Sequence, residues 1–366
     1  MADIIVALSG GLDSSLAAVL LHQKKYSIVG VHMLLPRAED AKGADEVGRR
    51  DYLYAQSICK SLNIPFHVID FKEAFREKVI GYLKNEYIRG RTPNPCIVCN
   101  REIKFGLLHD FAREQGIHLI ATGHYARVEP SDPYGRFYLK KSAAKERDQT
   151  YFLSMLKQPQ LGDALFPLGE YTEKEIEALA EQYRIKDRDR PSSQDICFIA
   201  SDYRDLFTES RGRGPGYKSG PIRDMSGKKV GKHKGIARYT IGQRKGIGAH
   251  SEPMYVTEIH PETNTVVIGK DEDLYSSTFI VEDVNWVKYF CLENEYTCCV
   301  RVRYRDRPSR ALVTPLEYKK IQVTFNKPKR AITPGQVAVL YQGEYVIGAG
   351  WIANSSRRAA ESTENV

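Results

Sequence analysis

The chain lacks any run of 18 apolar residues, and no basic, apolar leader precedes its first predicted strand at Ile4. We therefore expect a soluble, cytoplasmic protein that does not associate with membranes. Its seven cysteines are odd in number and unevenly spaced, which argues against a secreted disulfide framework. Free or catalytic thiols are expected instead.

Negative charge is in the minority, because 46 Asp and Glu face 54 Lys and Arg and leave a net charge of +8. Residues 201–270 contain 13 Lys and Arg but only 7 Asp and Glu, so this short span carries most of the excess. It also contains 11 of the 28 glycines, interleaved with tyrosines. A flexible, basic segment of this kind favours phosphates and unstacked bases as ligands. A merely solvated basic loop region is the alternative.

The loop after the first strand lacks the lysine of the common ATP motif G-x-x-x-x-G-K-[ST]. In its place S-G-G-L-D-S occupies residues 9–14, between the apolar run 4–8 and a helical stretch 15–22. The open amides of a helix N-terminus, its dipole and the close approach that glycine permits all favour a polyphosphate. The Asp13 carboxylate is suited to Mg²⁺. A plain strand-to-helix turn that happens to contain two glycines is the alternative.

Strands and helices alternate up to about residue 200, which predicts an α/β domain whose parallel sheet is covered by helices on both faces. Ligands of such sheets collect at the carboxyl ends of the strands. That rule should bring residues 9–14, Met33 and residues 122–124 into one pocket. One helix is predicted over residues 103–114, shortly after two prolines.

Beyond residue 201, short alternating runs separated by turn residues predict a small β-barrel or sandwich. The predicted limits are 1–204 for an ATP-binding catalytic domain, 205–275 for a small basic RNA-binding domain and 276–355 for the barrel. The polar tail 356–366 is expected to be disordered.

Two thiols, Cys96 and Cys99, lie three residues apart just before a predicted helix, and Cys197 provides a third. A helix N-terminus lowers the pKa of a thiol, and only the thiolate attacks sulfur, so these residues are candidates for sulfur chemistry. Zinc would ordinarily need four ligands, and no second C-x-x-C motif has suitable spacing. A structural metal and inert buried cysteines are the alternatives.

Six motifs follow one another along nearly the whole chain: SGGLDSS, TPNPCIVCNREIKF, ATGHYAR, RDQTYFL, SSQDICFI and YTIGQRKGIG. Together they resemble the tRNA-specific 2-thiouridylases of the PP-loop ATP-pyrophosphatase superfamily. The resemblance implies a parallel-sheet PP-loop domain of the adenine nucleotide α-hydrolase-like type, then a small central domain and a C-terminal β-barrel. It also implies replacement of the C2 oxygen of the wobble uridine, position 34, by sulfur in tRNAs for Lys, Glu and Gln.

The same resemblance assigns roles to individual residues. Cys99 corresponds to the nucleophile and Cys197 to the persulfide carrier. The implied ATP contacts are Ala7, Leu8, Ser9, Gly10, Gly11, Leu12, Asp13, Ser14, Met33 and Gly123. The implied tRNA contacts are Asn94, Pro95, Cys96, His124, Arg147, Asp148, Gln149, Arg303, Tyr304, Arg305 and Gln336, and the basic composition adds Arg244 and Lys245.

In the implied reaction, ATP and Mg²⁺ adenylate O2 of a flipped-out uridine, and a persulfide loaded on Cys197 by an upstream donor protein delivers sulfur. Many family members carry Asp where this chain has Cys96, which leaves the role of that carboxylate open here. Cys96, Cys99 and Cys197 could alternatively hold three corners of a [4Fe–4S] cluster.

Two other functions fit parts of the pattern. One is a PP-loop ligase that adenylates a small metabolite and needs no cysteine. The other is an RNA-binding protein whose loop only senses nucleotide.

Overall fold

A computed structural model describes residues 3–36, 44–131, 135–185, 196–199, 202–207, 212 and 214–353. The chain divides into two compact units. The first unit comprises Met1–Gly81, Pro95–Asp202 and Gly343–Gly348, and the second comprises Tyr82–Asn94, Tyr203–Gln342 and Ala349–Val366. Within the described ranges, no helix has the length and apolar character that a membrane span requires.

The first unit is built on a five-stranded parallel sheet in the order β3-β2-β1-β4-β7. Its strands are β1 Ile4–Ala7, β2 Ile28–Leu34, β3 Phe66–Asp70, β4 Leu119–Ala121 and β7 Ala164–Leu165. The central β1 is fully buried, as the apolar run predicts. The carboxyl ends of β1, β2 and β4 lie along one edge, and residues 9–14, Met33 and residues 122–124 lie at that edge or directly after it. That they line one pocket stays a prediction.

Helix α1 is apolar all round because both of its faces are covered. Ala18 and Leu21 pack with β1 and β2, whereas Leu16 and Leu20 pack with Tyr125 and with Ile176 of the helix Glu173–Gln182.

The helices are α1 Leu12–Gln23, α2 Ala44–Leu62, α3 Lys72–Phe75, α4 Tyr82–Ile88, α5 Pro95–Val98, α6 Leu108–Glu114, α7 Thr150–Leu153, α8 Gln158–Gly162 and α9 Glu173–Gln182. Short 3₁₀ turns lie at Lys145–Arg147, Tyr203–Phe207, Ile236–Arg238 and Glu272–Leu274.

The helix predicted from residue 103 begins eight residues earlier in the structure, at Pro95. It runs through α5, a π-helical stretch Cys99–Leu107 and α6. A second π-helical stretch, Arg76–Gly81, lies between α3 and α4. Proline is accepted at the first helical position because its missing N–H has no partner there, so Pro95 starts the helix instead of breaking it.

A hairpin in the first unit has no counterpart among the predicted elements. Strands β5 Ala126–Ser131 and β6 Arg136–Lys141 pair antiparallel, and Lys140 pairs with Tyr345 of the returning chain. These strands lack the alternation of apolar and polar residues that identifies a strand in a sequence, since charged residues occupy several of their positions. Those residues pair across the hairpin instead, as Lys140 does with Glu129 at 2.9 Å.

The second unit contains a four-stranded sheet in the order β10-β11-β8-β9. Its strands are β8 Gly220–Asp224, β9 Lys229–His233, β10 Tyr255–His260 and β11 Thr265–Gly269. Ile222, Val256, Val266 and Ile268 form its core together with Ile236, Tyr239 and Ile247 from the glycine-rich segment. The basic segment is therefore part of a folded domain, and β8 and β9 were not among the predicted strands.

Six further strands close into a barrel, since β12-β15-β14-β13-β16-β17 are neighbours in that order and β12 also pairs with β17. They are β12 Tyr275–Trp286, β13 Tyr296–Arg301, β14 Ser309–Glu317, β15 Lys320–Arg330, β16 Val337–Gln342 and β17 Tyr345–Ile352. The predicted barrel is confirmed. Its first strand β12, which carries alternating buried residues, was missing from the prediction. The domain limits 1–204, 205–275 and 276–355 stay predictions, and the tail 356–366 lies outside the described residues.

Truncation of the central strand tests this core. Ile4 has no exposed surface, so Ile4→Ala should lower the free energy of unfolding by about 2–5 kcal/mol through lost burial and a residual cavity. Val68→Ala is the matched control because Val68 is 41 % exposed on the edge strand β3, and its cost should be about 0.5 kcal/mol or less. Urea unfolding measures both, and equal losses would contradict the central position of β1.

Candidate nucleotide and thiol site

The loop between β1 and α1 is shaped as an anion cradle. Gly10 has φ +74°, a conformation that suits glycine, and a Cβ there would meet the backbone oxygen of Asp51. Gly11 caps α1 with extended backbone and no side-chain hydrogen bond, so the first helical amides keep their role as donors to a ligand. The hydroxyls of Ser9 and Ser14 lie 3.1 Å apart at its rim.

The ATGH segment closes directly on this loop. A Cβ on Gly123 would come within 2.6 Å of the backbone of Asp13 and Ser14, so only glycine permits the observed approach. This contact brings together two predicted nucleotide-binding segments that are more than a hundred residues apart. Met33 lies near the end of β2, the strand next to β1, and is partly buried.

Asp13 belongs to a three-residue polar cluster that the motifs alone do not reveal. The Tyr125 hydroxyl donates to Asp13 Oδ1 at 2.5 Å, and Arg147 Nη1 donates to the Tyr125 oxygen at 2.9 Å. Arg147 also lies 3.7 Å from Asp13 Oδ1, with its guanidinium 5.4 Å from the centre of the Tyr125 ring. Burial and the nearby Asp13 charge raise the pKa of Tyr125, so it stays a neutral donor.

The other two residues of the R-D-Q segment hold the chain in place. Asp148 is buried and accepts hydrogen bonds from the Thr150 hydroxyl at 2.8 Å and the Ser142 amide at 3.3 Å. Gln149 accepts from the Tyr125 amide through Oε1 and donates its own amide to the Tyr125 carbonyl. Of the three predicted tRNA contacts, Asp148 is buried, whereas Arg147 and Gln149 are partly exposed.

Both thiols of the C-x-x-C motif are sequestered at the start of the long helix. Cys96 lies in α5 and is partly buried, and Cys99 is buried at the first residue of the π-helical stretch. π-Helical turns leave some carbonyls without their usual partners. Here Gln160 Nε2 donates to the carbonyls of Arg101 and Phe105 at 2.8 and 2.7 Å.

The expectation that the helix N-terminus lowers the thiol pKa values is wrong for this arrangement. Burial raises the pKa of the Cys99 thiol to about 12, although the Lys104 charge opposes it. Burial also raises the pKa of Cys96 to about 11, with a further contribution from Cys197. The cost of a buried charge exceeds the benefit of the helix terminus, so both residues are thiols at neutral pH.

Cys197 is exposed, yet it acts electrostatically on both Cys96 and Cys99. The next residue, Phe198, is buried edge-to-face against Phe75 at a ring distance of 5.4 Å, which anchors this short segment. The first unit therefore brings together all three predicted sulfur residues.

Lys104 connects the thiols to the ATGH segment. Its ammonium lies 3.4 Å from His124 Nε2, while His124 Nδ1 lies 2.7 Å from the Thr122 hydroxyl. Burial and Lys104 hold the pKa of His124 well below its usual range, so the ring is neutral and accepts through Nε2. Lys104 and Tyr125 are the two site residues that sequence reasoning missed. Their signal was present, since each lies inside a quoted motif.

The residues expected to hold Mg²⁺ and those considered for a [4Fe–4S] cluster do not fit their metals equally well. The Asp13 carboxylate is 35 % exposed beside the anion cradle, and its oxygen chemistry suits Mg²⁺. Across the described ranges, no three His, Cys, Asp or Glu side chains are arranged to hold a metal ion, and Cys96, Cys99 and Cys197 all lie within those ranges. The arrangement does not fit a [4Fe–4S] cluster on these thiols.

The remaining predicted tRNA contacts belong to the second unit, apart from Pro95. Gln336 Nε2 donates to the carbonyls of Thr92 and Pro93, directly before the partly buried Asn94. Arg303 donates to the carbonyls of Ile241 and Ala331 and to the Thr333 hydroxyl, so its guanidinium braces the fold. The side chains exposed to solvent are those of Arg244, Lys245 and Arg305, and Tyr304 stacks with Arg301.

The fold and loop define a class, namely a nucleotide-binding α/β domain joined to two β-rich domains. Family models match accordingly: a tRNA methyl transferase HUP domain over residues 2–201, a tRNA methyl transferase PRC-barrel domain over 214–270 and an aminomethyltransferase beta-barrel domain over 276–352.

Relatives that match along nearly the whole chain identify the family within this class. A tRNA-specific 2-thiouridylase MnmA of Carboxydothermus hydrogenoformans is 43 % identical over 95 % of this chain and 97 % of its own. Proteins of the same name from Desulforamulus reducens and Clostridioides difficile are 41 % and 40 % identical, over 97 % and 96 % of this chain and 98 % of each relative. The chain belongs to the tRNA-specific 2-thiouridylases, a family of tRNA-uridine 2-sulfurtransferases.

A methyl group on Gly123 tests the contact between the two loops. Gly123→Ala should weaken ATP binding by about tenfold or more, because the Asp13–Ser14 backbone must move. Gly81→Ala is the control, since its Cβ would meet nothing closer than 3.5 Å. Equilibrium binding of a fluorescent ATP analogue measures both, and unchanged affinity in Gly123→Ala would contradict the close approach.

The buried thiol gives a pH signature. With a pKa of about 12, roughly one Cys99 in ten thousand is a thiolate at pH 8, so its alkylation rate should rise about tenfold per pH unit up to pH 10. Lys104→Met should slow the alkylation of Cys99 several-fold, because the lost positive charge favoured the thiolate. Lys60→Met, at an exposed position of α2, should leave the rate unchanged. Peptide mass spectrometry follows Cys99 alone, and a plateau below pH 9 would contradict the raised pKa.

Proposed function

We propose that this protein carries out ATP-dependent 2-thiolation of the wobble uridine, position 34, by adenylating O2 of the base and then transferring sulfur from a cysteine persulfide. One observation carries the proposal: the unit that presents the glycine loop also holds three thiols that act on one another electrostatically, of which Cys99 is buried and Cys96 partly buried. Neither methyl transfer nor nucleotide sensing requires such thiols. The full-length relatives are named for thiolation, which favours sulfur transfer over the methyl transfer in the family-model names.

The first step activates an unreactive carbonyl. O2 of the uridine attacks the α-phosphorus of ATP, pyrophosphate leaves, and the base carries an AMP group that departs readily later. The α1 amides and the Ser9 and Ser14 hydroxyls accommodate the pyrophosphate, with Ala7, Leu8, Gly10, Gly11, Leu12, Met33 and Gly123 as the other expected ATP contacts. Mg²⁺ at Asp13 would neutralise charge on the phosphates.

The second step delivers sulfur. The terminal sulfur of a Cys197 persulfide attacks C2, AMP leaves, and the base is joined to Cys197 through a disulfide. Cys99, once deprotonated, attacks the Cys197 sulfur, which releases 2-thiouridine and leaves a Cys99–Cys197 disulfide. An external dithiol reduces that bond, and an upstream persulfide protein reloads Cys197.

The RNA supplies the rest of the site. A stacked base cannot reach the loop, so uridine 34 must be extruded, at roughly a few kcal/mol. Exposed Arg244, Lys245 and Arg305 are suited to phosphates. Asn94, Pro95, Cys96, His124 and Gln336 are the proposed contacts near the base, and tRNAs for Lys, Glu and Gln are the proposed substrates. Since tRNA is the substrate, we place the reaction in the cytoplasm.

Serine substitutions separate the two steps. Cys99→Ser and Cys197→Ser should each lower thiolation of an unmodified tRNA transcript by about a hundredfold or more. The first variant loses the thiol that releases the product, and the second loses the persulfide carrier. Both should still form AMP-activated RNA from ATP. Cys299→Ser is the control, since Cys299 is exposed in the barrel and should retain full activity. Radiolabelled ATP and sulfur follow the two steps.

Other outcomes would point elsewhere. Full thiolation by either variant would remove that cysteine from the scheme. Pyrophosphate release without RNA would indicate a small-metabolite ligase, and tight RNA binding without ATP turnover would indicate an RNA-binding protein.

A further inference from the structure

The Asp13–Tyr125–Arg147 cluster joins two ligands that the proposed function needs at once. Asp13 is the expected Mg²⁺ residue of the nucleotide loop, and Arg147 is an expected contact of the RNA. In the structure, they share the Tyr125 hydroxyl and lie 3.7 Å apart. The Arg147 guanidinium therefore faces a carboxylate that the divalent cation of ATP is also expected to approach.

The two charged groups are open to ligands, because the side chains of Asp13 and Arg147 are 35 % and 39 % exposed. The backbone around Arg147 is held, since Asp148 is buried in its own hydrogen bonds and Gln149 is bound to Tyr125. A guanidinium on a fixed backbone can still swing by its side-chain torsions. An RNA phosphate can compete with the Asp13 carboxylate for it, since the guanidinium fork matches the geometry of phosphate as well as of carboxylate.

We propose that Arg147 is shared between Asp13 and a phosphate of the RNA, and that Tyr125 is the positioning residue that holds it on Asp13 while RNA is absent. RNA binding withdraws the guanidinium, and Asp13 then attracts the divalent cation of ATP more strongly. This inference rests on the proposed function and adds to it an order of assembly: ATP with its metal and tRNA tighten each other.

The coupling is reciprocal by thermodynamic necessity. Metal at Asp13 neutralises the carboxylate, which releases Arg147 to the RNA. Coupling between two sites commonly lies between about 5-fold and 150-fold in affinity, and an ion pair that is one third exposed belongs at the lower end. We therefore expect Mg²⁺ with a non-cleavable ATP analogue to tighten tRNA binding about fivefold.

The first arm measures tRNA affinity by filter binding at constant Mg²⁺, with and without α,β-methylene ATP. Wild type should show the fivefold tightening. Arg147→Met should bind tRNA more weakly and respond to the analogue by less than about twofold, and Tyr125→Phe should lose at least half of the effect. The controls are Arg50→Met and Tyr26→Phe, because both residues are exposed in the same unit, and both variants should behave as wild type.

The second arm omits RNA and titrates Mn²⁺ onto the protein with the same analogue, followed by electron paramagnetic resonance. Arg147→Met should bind Mn²⁺ more tightly than wild type, because the competing cation is gone. A merely structural role for Arg147 would make Mn²⁺ binding weaker or leave it unchanged, and either result would overturn the inference.

The arms distinguish failure of this inference from failure of the proposed function. If wild type binds neither the analogue nor Mn²⁺, both fall together. If it binds them but tRNA affinity does not respond, or if Arg147→Met retains the full response, the shared arginine is wrong and the thiolation scheme stands.

Discussion

One close backbone contact organises the first unit: residue 123 lies against the backbone of Asp13 and Ser14 at a distance that excludes any side chain. The contact fixes the start of α1 relative to the end of β4, two elements that the parallel sheet already brings to one edge. Because residues 122–125 follow β4 without a break, the same contact sets where the His124 and Tyr125 side chains can reach. The nucleotide loop lies at this contact, and Arg147 and Lys104 contact the Tyr125 and His124 side chains that it positions.

The buried thiols show how the fold controls reactivity. A thiolate at Cys99 would be costly at neutral pH, because burial outweighs the charge of Lys104. The fold therefore keeps Cys99 protonated, and a protonated, buried thiol is slow to oxidise. Cys197, in contrast, is exposed. This difference suits the proposed scheme, in which an outside donor loads Cys197 and Cys99 acts only once it is deprotonated.

Much of the fold could be predicted from sequence where pattern and packing agree. The apolar run at β1, the glycine loop and the alternation of strands with helices predicted the parallel sheet. The β5–β6 hairpin was missed because its strands are stabilised by cross-strand ion pairs such as Lys140 with Glu129, which leave no alternating pattern. Pro95 was read as a loop residue, although a proline starts a helix equally well.

The candidate site was predicted in its membership more than in its electrostatics. Motifs identified Cys96, Cys99, Cys197 and the loop. The pKa values of Cys96 and Cys99 were expected to be lowered but are raised, because burial cannot be predicted from the spacing of residues. Asp148 and Arg303 were expected to meet RNA, whereas the Asp148 carboxylate and the Arg303 Nη2 group form hydrogen bonds within the protein. A sequence states which polar groups exist, but it does not state which of them the fold itself uses.

Consecutive residues after β4 link the two chemistries of the reaction. His124 contacts Lys104, whose charge acts on Cys99, while Tyr125 binds Asp13 on the nucleotide side. The two residues are adjacent in sequence and meet different partners, so one short segment reaches both the nucleotide loop and the lysine beside the thiols. Under the proposed function, the group beside the activated base and the charge that favours the Cys99 thiolate would therefore both be positioned by this one segment.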